Sequence, residues 1–177
     1  SEIVKNLDFG VIAKGKIMEG VNKLASAVST TLGASGKCVI YEDALGRPVI
    51  TKDGVTVAES VVLLDPVENI GATLIKEAAN NTVKEAGDGT TTATVLAHSL
   101  LTQVNDYKGS DTERNIRIGI NKAMDDVIGL LEKNAVDVEG TMLNNVAAIS
   151  CNNDKELGDL IGDAYTVVGR DGVVLME

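Results

Sequence analysis

The run Gly87-Asp88-Gly89-Thr90-Thr91-Thr92 reads as a turn that opens a helix, with one carboxylate and three hydroxyls at its start. Its two glycines permit positive φ and close backbone approach to a ligand. Apolar Ala93, Leu96, Leu100 and Val104 follow at helical spacing, which puts the threonines on the first turn. Unpaired amides and the positive end of the helix dipole favour an anion such as phosphate there. Asp88 is unsuited to phosphate itself but suits a metal that bridges to it. The same residues also suit simple capping by Asp88 or Thr90, and taken alone the run fits capping better.

With 177 residues, the chain has room for one domain, or for one and part of a second. Its 44% hydrophobic and 24% charged residues are those of a globular protein. A net charge of −10 argues against a nucleic-acid or anionic-membrane binder, because phosphate neutralisation on that scale needs Lys and Arg clusters. A single phosphate site inside an acidic protein is compatible with that charge. Aromatic residues make up only 2%, so Val, Ile, Leu, Ala and Met must build the core, which suits packed helices. Cys38 and Cys151 lack metal-ligand spacing and read as buried thiols in a reducing compartment. His98 reads as a polar or packed helix residue rather than a base. No basic-then-apolar leader and no apolar run of about 20 residues is evident, so a cytoplasmic or comparable location is expected.

Along the chain, Ile17, Val21, Leu24 and Val28 mark one helix, ending near Thr31-Leu32-Gly33-Ala34-Ser35-Gly36. Lys37–Glu42 and Pro48–Thr51, joined by Asp43-Ala44-Leu45-Gly46-Arg47, predict a β-hairpin that needs support from elsewhere. Thr51-Lys52-Asp53-Gly54 follows as a turn with a cation beside a carboxylate, which by itself is an ordinary solvated loop. Val67, Ile70, Leu74 and Ala78 predict a helix from about Pro66 to Glu85. Ser110-Asp111-Thr112-Glu113 has capping-box form ahead of the stripe Ile116, Ile120, Met124, Val127 and Leu131. A linker at 136–140 precedes two further helices, one with Met142, Val146 and Ile149, the other with Leu157, Ile161, Ala164 and Val168. Gly71 and Gly119 are candidates for close helix contacts. Val173-Val174-Leu175-Met176 reads as a strand that needs a partner, as though a further domain followed.

Three of these segments, in this order, resemble the N-terminal part of a group I chaperonin subunit of the GroEL type. They are Thr31-Leu32-Gly33-Ala34-Ser35-Gly36, the hairpin ending in Ile50-Thr51-Lys52-Asp53-Gly54, and Ala86-Gly87-Asp88-Gly89-Thr90-Thr91-Thr92-Ala93-Thr94-Val95-Leu96-Ala97. The likeness runs from near Phe9 to the terminal apolar segment. It implies a mainly α fold: residues 1–134 as the first half of a helical, ATP-binding equatorial domain with a β-hairpin, and 135–177 as the start of a small α/β intermediate domain. The apical domain is absent.

By the same resemblance, Thr31, Leu32, Gly33 and Ala34 line the nucleotide, and the Thr31 carbonyl lies near a potassium ion. Ala34 stands where the family commonly has proline. Lys52 lies near the γ-phosphate, Asp53 acts on the attacking water, Asp88 ligates magnesium, and Gly89, Thr90, Thr91 and Thr92 hold phosphates. ATP, Mg2+ and K+ are the implied cofactors. The implied partners are identical ring subunits, reached through the stem-loop around Val39 to Val49, with unfolded polypeptides and a co-chaperonin engaged through the apical domain. A second carboxylate that helps position the water is absent, so the segment alone is expected to hydrolyse ATP poorly or not at all. The competing reading is a truncated chaperonin relative that acts as a non-enzymatic ring-interaction or assembly module.

Overall fold

A computed structural model describes residues 7–33, 35–169 and 171–175. They form two compact units that divide between Ser110 and Asp111. The first contains α1 (Gly10–Ser29), β1 (Val39–Glu42), β2 (Pro48–Thr51), α2 (Gly54–Ser60), α3 (Pro66–Ala86) and α4 (Thr90–Asp106). The second contains α5 (Glu113–Asn134), α6 (Met142–Ser150) and α7 (Lys155–Val168). The fold is mainly α with one hairpin, as the sequence predicts.

In the first unit α1 and α3 cross with their backbones in contact. A methyl placed on Gly20 would overlap the Glu68 carbonyl, and one on Gly71 would overlap the Ile17 carbonyl. Each helix therefore uses a glycine where the other's main chain passes, and Gly71 is the close contact its place in the sequence suggests. Around the crossing, Val21, Leu24, Val28, Val57, Ala58, Ala72 and Ile75 form the core, with Met18, Val39, Leu63 and Ala97 packed against it. Burying such side chains contributes roughly 1.5–3 kcal/mol each for the larger ones. The crossing is also tied at its edges: Lys16 Nζ pairs with Asp65 at 3.1 Å and Lys23 Nζ with Glu68 at 2.7 Å.

Local chemistry explains each helix boundary. Asp65 caps α3, its Oδ1 accepting from the Val67 and Glu68 amides at 2.8 and 3.2 Å, with Pro66 in the first turn. Gly87, at φ 77°, ends α3 in the left-handed region. Helix α2 replaces the turn that Asp53-Gly54 suggests: at seven residues its apolar period is too short to register in the sequence. Its C-terminal carbonyls are held from α3, where Lys76 Nζ donates to the carbonyls of Val61 at 2.5 Å and Glu59 at 3.3 Å.

The hairpin has the predicted register-free outline and now a register: Val39 faces Thr51, Ile40 faces Ile50, Tyr41 faces Val49 and Glu42 faces Pro48. Asp43 closes its turn by accepting from the amides of Leu45 and Arg47 at 2.8 and 2.9 Å. One face, with Val39 packed on the core, is half-buried; the other presents Ile40 and Ile50 to solvent.

Several expectations are corrected. On α4 the buried positions are Thr90 and Thr94, while Leu96, Leu100 and Val104 are exposed; on α3 Ile75 and Ala79 are buried and Ile70 and Leu74 exposed. On α3 the buried face runs through Val67, Gly71, Ala72, Ile75 and Ala79, turned away from the expected line because at Gly71 the α1 main chain leaves room for no side chain. Cys38 is exposed and Cys151 intermediate rather than buried. Gly119 has nothing within 4 Å of an added Cβ, so it marks no contact.

In the second unit, α5 is capped by Thr112, whose hydroxyl accepts from the Asn115 amide at 3.2 Å. The capping-box register starting at Ser110 is therefore two residues early. Its apolar stripe is helical as predicted, yet α5 buries no residue. Helices α6 and α7 pack against each other and are joined by the short turn at 151–154, in which Asn152 and Asn153 take positive φ. They meet through small residues: a Cβ on Gly158 would lie 2.5 Å from Ala148 Cα, and one on Gly162 would overlap the Asn144 amide. Met142, Val146 and Ile149, the expected apolar face of α6, are exposed. Residues Gly172–Leu175 are not a strand; no partner strand meets them among the described residues, and Met176 lies outside those residues.

Candidate functional site

Three sequence-distant segments converge at the N-terminus of α4. The chain leaving α1 folds back on itself: Thr31 Oγ1 donates to the Val28 carbonyl at 2.8 Å, Lys37 N donates to the Thr30 carbonyl at 2.8 Å, and Gly36 N to the Gly33 carbonyl at 2.9 Å. Gly33 has φ 75°, and a side chain at Gly36 would strike the Thr31 carbonyl. Thr31 Oγ1 then lies 3.3 Å from Thr91 Oγ1. Since the Thr31 proton is committed to Val28, Thr91 is the donor of that pair.

Gly54, the first residue of α2, is buried against the same two hydroxyls. An added Cβ would collide with Thr91 Oγ1 and lie 3.4 Å from Thr31 Oγ1. Thr31, Gly54 and Thr91 thus touch, and the missing side chain of Gly54 is what lets the Lys52-Asp53 turn close on α4. In the sequence Gly54 reads only as part of a turn. Its buried, helical setting depends on α2, which is too short to show in the apolar pattern.

Helix α4 begins without a side-chain cap. Gly89, at φ 96°, is its cap residue, and the Asp88 carboxylate bonds only as far as the Gly89 amide, Oδ1 accepting at 2.6 Å. The capping alternative for Asp88 or Thr90 is therefore not what the geometry shows. The Ala93 amide returns to the Gly89 carbonyl at 2.8 Å, which leaves the Thr90, Thr91 and Thr92 amides as the open first turn. Thr90 is 4% exposed, and its hydroxyl is a buried polar atom with no hydrogen-bond partner among the described residues. Such an orphan costs about 1–3 kcal/mol when nothing satisfies it. Thr94, one turn on, does find a partner, donating to the Thr90 carbonyl at 2.9 Å.

Charge around the site is mixed. Lys52 is exposed and makes no ion pair within the described residues, unlike Lys16, Lys23 and Arg47. Asp53 caps α2: Oδ1 accepts from the Val55 amide at 3.3 Å and Oδ2 from the Thr56 amide at 2.8 Å. Partial burial pushes its carboxyl upward, but the Thr56 hydroxyl and the Thr56 and Val55 amides outweigh that and hold it below the usual carboxylate range. Asp88, Gly89 and Thr92 sit at the rim. Leu32 is 46% exposed, directed away from the core, and Ala34 lies outside the described residues. His98 lies two turns beyond Thr90 on α4, where Nε2 meets Asn22 Oδ1 at 2.9 Å, a packed polar role.

No group of three or more His, Cys, Asp or Glu side chains that could hold a metal occurs among the described residues. A lone carboxylate at Asp88 still suits magnesium, which is commonly held by one or two carboxylates together with substrate phosphates. No described helix is long and apolar enough to cross a membrane. One further cavity, about 750 Å³, lies in the second unit between the 136–139 segment, Leu143 and Tyr165.

Known proteins share this architecture. The chaperonin gp146 from bacteriophage EL 2 (Pseudomonas aeruginosa), crystallised in the presence of ATP-BeFx, superposes with a TM-score of 0.79 at 32% identity; the likeness covers 94% of this chain and 30% of that one. A second crystal form of it gives 0.80, again at 32% identity and the same coverage. A group III chaperonin in the open state gives 0.72 at 29% identity, covering 88% of this chain and 32% of that one. The chain therefore spans less than a third of the length of these structures. Residues 24–175 match the TCP-1/cpn60 chaperonin family, and the chain belongs to that family.

Proposed function

We propose that this chain is the nucleotide-binding segment of a group I-type, ATP-dependent chaperonin that assists protein folding in a ring, coupling ATP binding and hydrolysis to conformational change. Residues 1–134 are then the first part of the equatorial domain and 135–177 the start of the intermediate domain. The observation that carries this reading is the buried, unpartnered Thr90 hydroxyl on an uncapped helix start, at the point where Thr31, Gly54 and Thr91 meet. Helix amides with nearby hydroxyls form an anion site, and the orphan hydroxyl supplies an unused donor. The ATP analogue present in the gp146 crystals supports the same ligand class.

In this reading the Thr90, Thr91 and Thr92 amides and the Thr90 and Thr92 hydroxyls donate to β- and γ-phosphate oxygens, while the Thr91 hydroxyl stays on Thr31. Lys52, which makes no ion pair among the described residues, lies over the γ-phosphate. Asp88 holds magnesium, whose charge offsets that of the phosphate oxygens when bound. The Thr31, Leu32 and Gly33 carbonyls face potassium and the nucleotide, and Asp53 accepts a hydrogen bond from the attacking water. Phosphoryl transfer draws mainly on this positioning and charge stabilisation. Hydrolysis by the segment alone is expected to be poor or absent, since a second water-positioning carboxylate is not among these residues.

The ring contacts fall to the hairpin, whose outer strand edges and Ile40–Ile50 face are open. That same face is what a non-enzymatic ring-interaction module would use, and nucleotide binding separates the two readings. The test is calorimetric titration of the chain with Mg-ATP, alongside Asp88→Ala and Lys52→Ala. Each substitution is expected to weaken binding at least tenfold, as loss of a charge-assisted contact of about 1.5–3 kcal/mol requires. Wild-type affinity in both variants would refute the site.

A further inference from the structure

The Asp53 carboxylate is more heavily engaged than a helix cap requires. Besides the Val55 and Thr56 amides, it accepts from the Thr56 hydroxyl, Oγ1 to Oδ2 at 2.5 Å. In a capping box the side chain three residues on returns to the backbone amide of the cap residue. Here that amide is already taken, since Asp53 N donates to Thr51 Oγ1 at 3.0 Å. The Thr56 hydroxyl turns onto the carboxylate instead. Both of the Thr56 donors fall on Oδ2, whereas Oδ1 has a single, longer bond of 3.3 Å. The two oxygens are thus unequal: Oδ2 is fixed to the helix and Oδ1 keeps free acceptor capacity.

We propose that Thr56 is a positioning residue for Asp53, its hydroxyl pinning Oδ2 to α2 so that Oδ1 is the oxygen turned to a water at the nucleotide site. This rests on the reading of Asp53 as the water-facing carboxylate. Every bond that the carboxylate accepts comes from α2, and the Asp53 amide is held by Thr51 at the end of β2, so the arrangement is set by the first turn of that helix and the strand before it. At the other end of α2, Lys76 holds the Val61 and Glu59 carbonyls, which ties the whole helix, and with it the carboxylate, to α3. A purely structural Thr56 would serve as well if it were valine, because both are β-branched with similar helix propensity and the amide cap is retained.

The test compares wild type with Thr56→Val, Thr56→Ala and Thr56→Ser by carboxyl 13C NMR, with Asp53 assigned through Asp53→Asn, and by Mg-ATP calorimetry. The expected result is that Thr56→Val and Thr56→Ala move the Asp53 resonance and its titration midpoint up toward an ordinary aspartate and average its side-chain rotamers. Thr56→Ser restores both, and Mg-ATP affinity in all three stays within threefold of wild type. An Asp53 signal unchanged in the valine and alanine variants overturns the proposal, and so does failure of serine to restore it. A loss of Mg-ATP affinity matching that of Asp88→Ala also overturns it, since Thr56 would then be part of the binding machinery. If wild type itself binds no Mg-ATP, the nucleotide reading fails, and the NMR comparison still decides whether Thr56 positions Asp53.

Discussion

Replacing Thr90 with valine separates a site built for a ligand from a site built for stability. The two side chains have nearly the same shape and similar helix propensity, so the substitution removes a hydroxyl and little else. At 4% exposure and with no partner among the described residues, that hydroxyl is a net cost to the unliganded fold of about 1–3 kcal/mol. Thr90→Val should therefore stabilise the free chain by about 1 kcal/mol, which corresponds to a Tm rise of about 4–8 °C for a unit of this size. Calorimetric affinity for Mg-ATP should move the opposite way and fall about tenfold or more, because a hydrogen bond to a charged oxygen is lost. Thr94→Val is the control: its hydroxyl is satisfied by the Thr90 carbonyl, so its loss should cost about 1 kcal/mol. A Thr90→Val chain that is less stable than wild type and binds Mg-ATP equally well would refute the reasoning.

Other expectations follow from the packing and the charges. Gly71→Ala and Gly20→Ala each drive a methyl into a backbone carbonyl across the α1–α3 crossing, and should destabilise by about 1–3 kcal/mol or more despite alanine's better helix propensity; thermal unfolding measures this. Gly119→Ala, with open space around it in α5, should be neutral or gain up to about 1 kcal/mol in the same assay. The Asp65 carboxyl is held below its ordinary range by the Glu68 amide, by Lys16 and by the Val67 amide. Its stabilising effect is therefore complete above the unfolded value of about 3.9 and disappears as pH falls through the lower folded value. Denaturant curves of wild type and Asp65→Ala should differ at neutral pH and converge below about pH 4; a constant gap would contradict that assignment. Gly54→Ala should lower Mg-ATP affinity through displacement of Thr91, and an unchanged affinity would show that the Gly54 cradle is irrelevant to the site.

The long helices were legible in the sequence because Val21, Leu24 and Val28 repeat at helical spacing and because Pro66 and Gly87 mark the ends of α3. Which face each helix buries was less legible. Hydrophobicity pointed to Ile70, Leu74 and Leu96, but the α1–α3 distance is set by Gly20 and Gly71, whose lack of a side chain lets each main chain approach, and α4 buries Thr90 and Thr94 instead of its leucines. A seven-residue helix such as α2 carries too few periods to stand out from a turn, so Gly54 and Thr56 were invisible as site-shaping residues. At the site, glycines and hydroxyls announced a phosphate-compatible turn, while their convergence is a long-range property: Thr31 and Thr91 are 60 residues apart. The capping of α5 shows the limit of local motifs, since Ser110 and Thr112 both satisfy helix-start chemistry and only the backbone geometry selects Thr112.

The claim that Thr31–Gly33, Lys52–Gly54 and Asp88–Thr92 make one nucleotide site is tested most directly by mapping Mg-ATP onto the chain through its backbone amide NMR shifts. The account predicts saturable shifts concentrated in these three segments, with α6 and α7 unmoved. Absence of saturable binding, or shifts centred outside those segments, would contradict it.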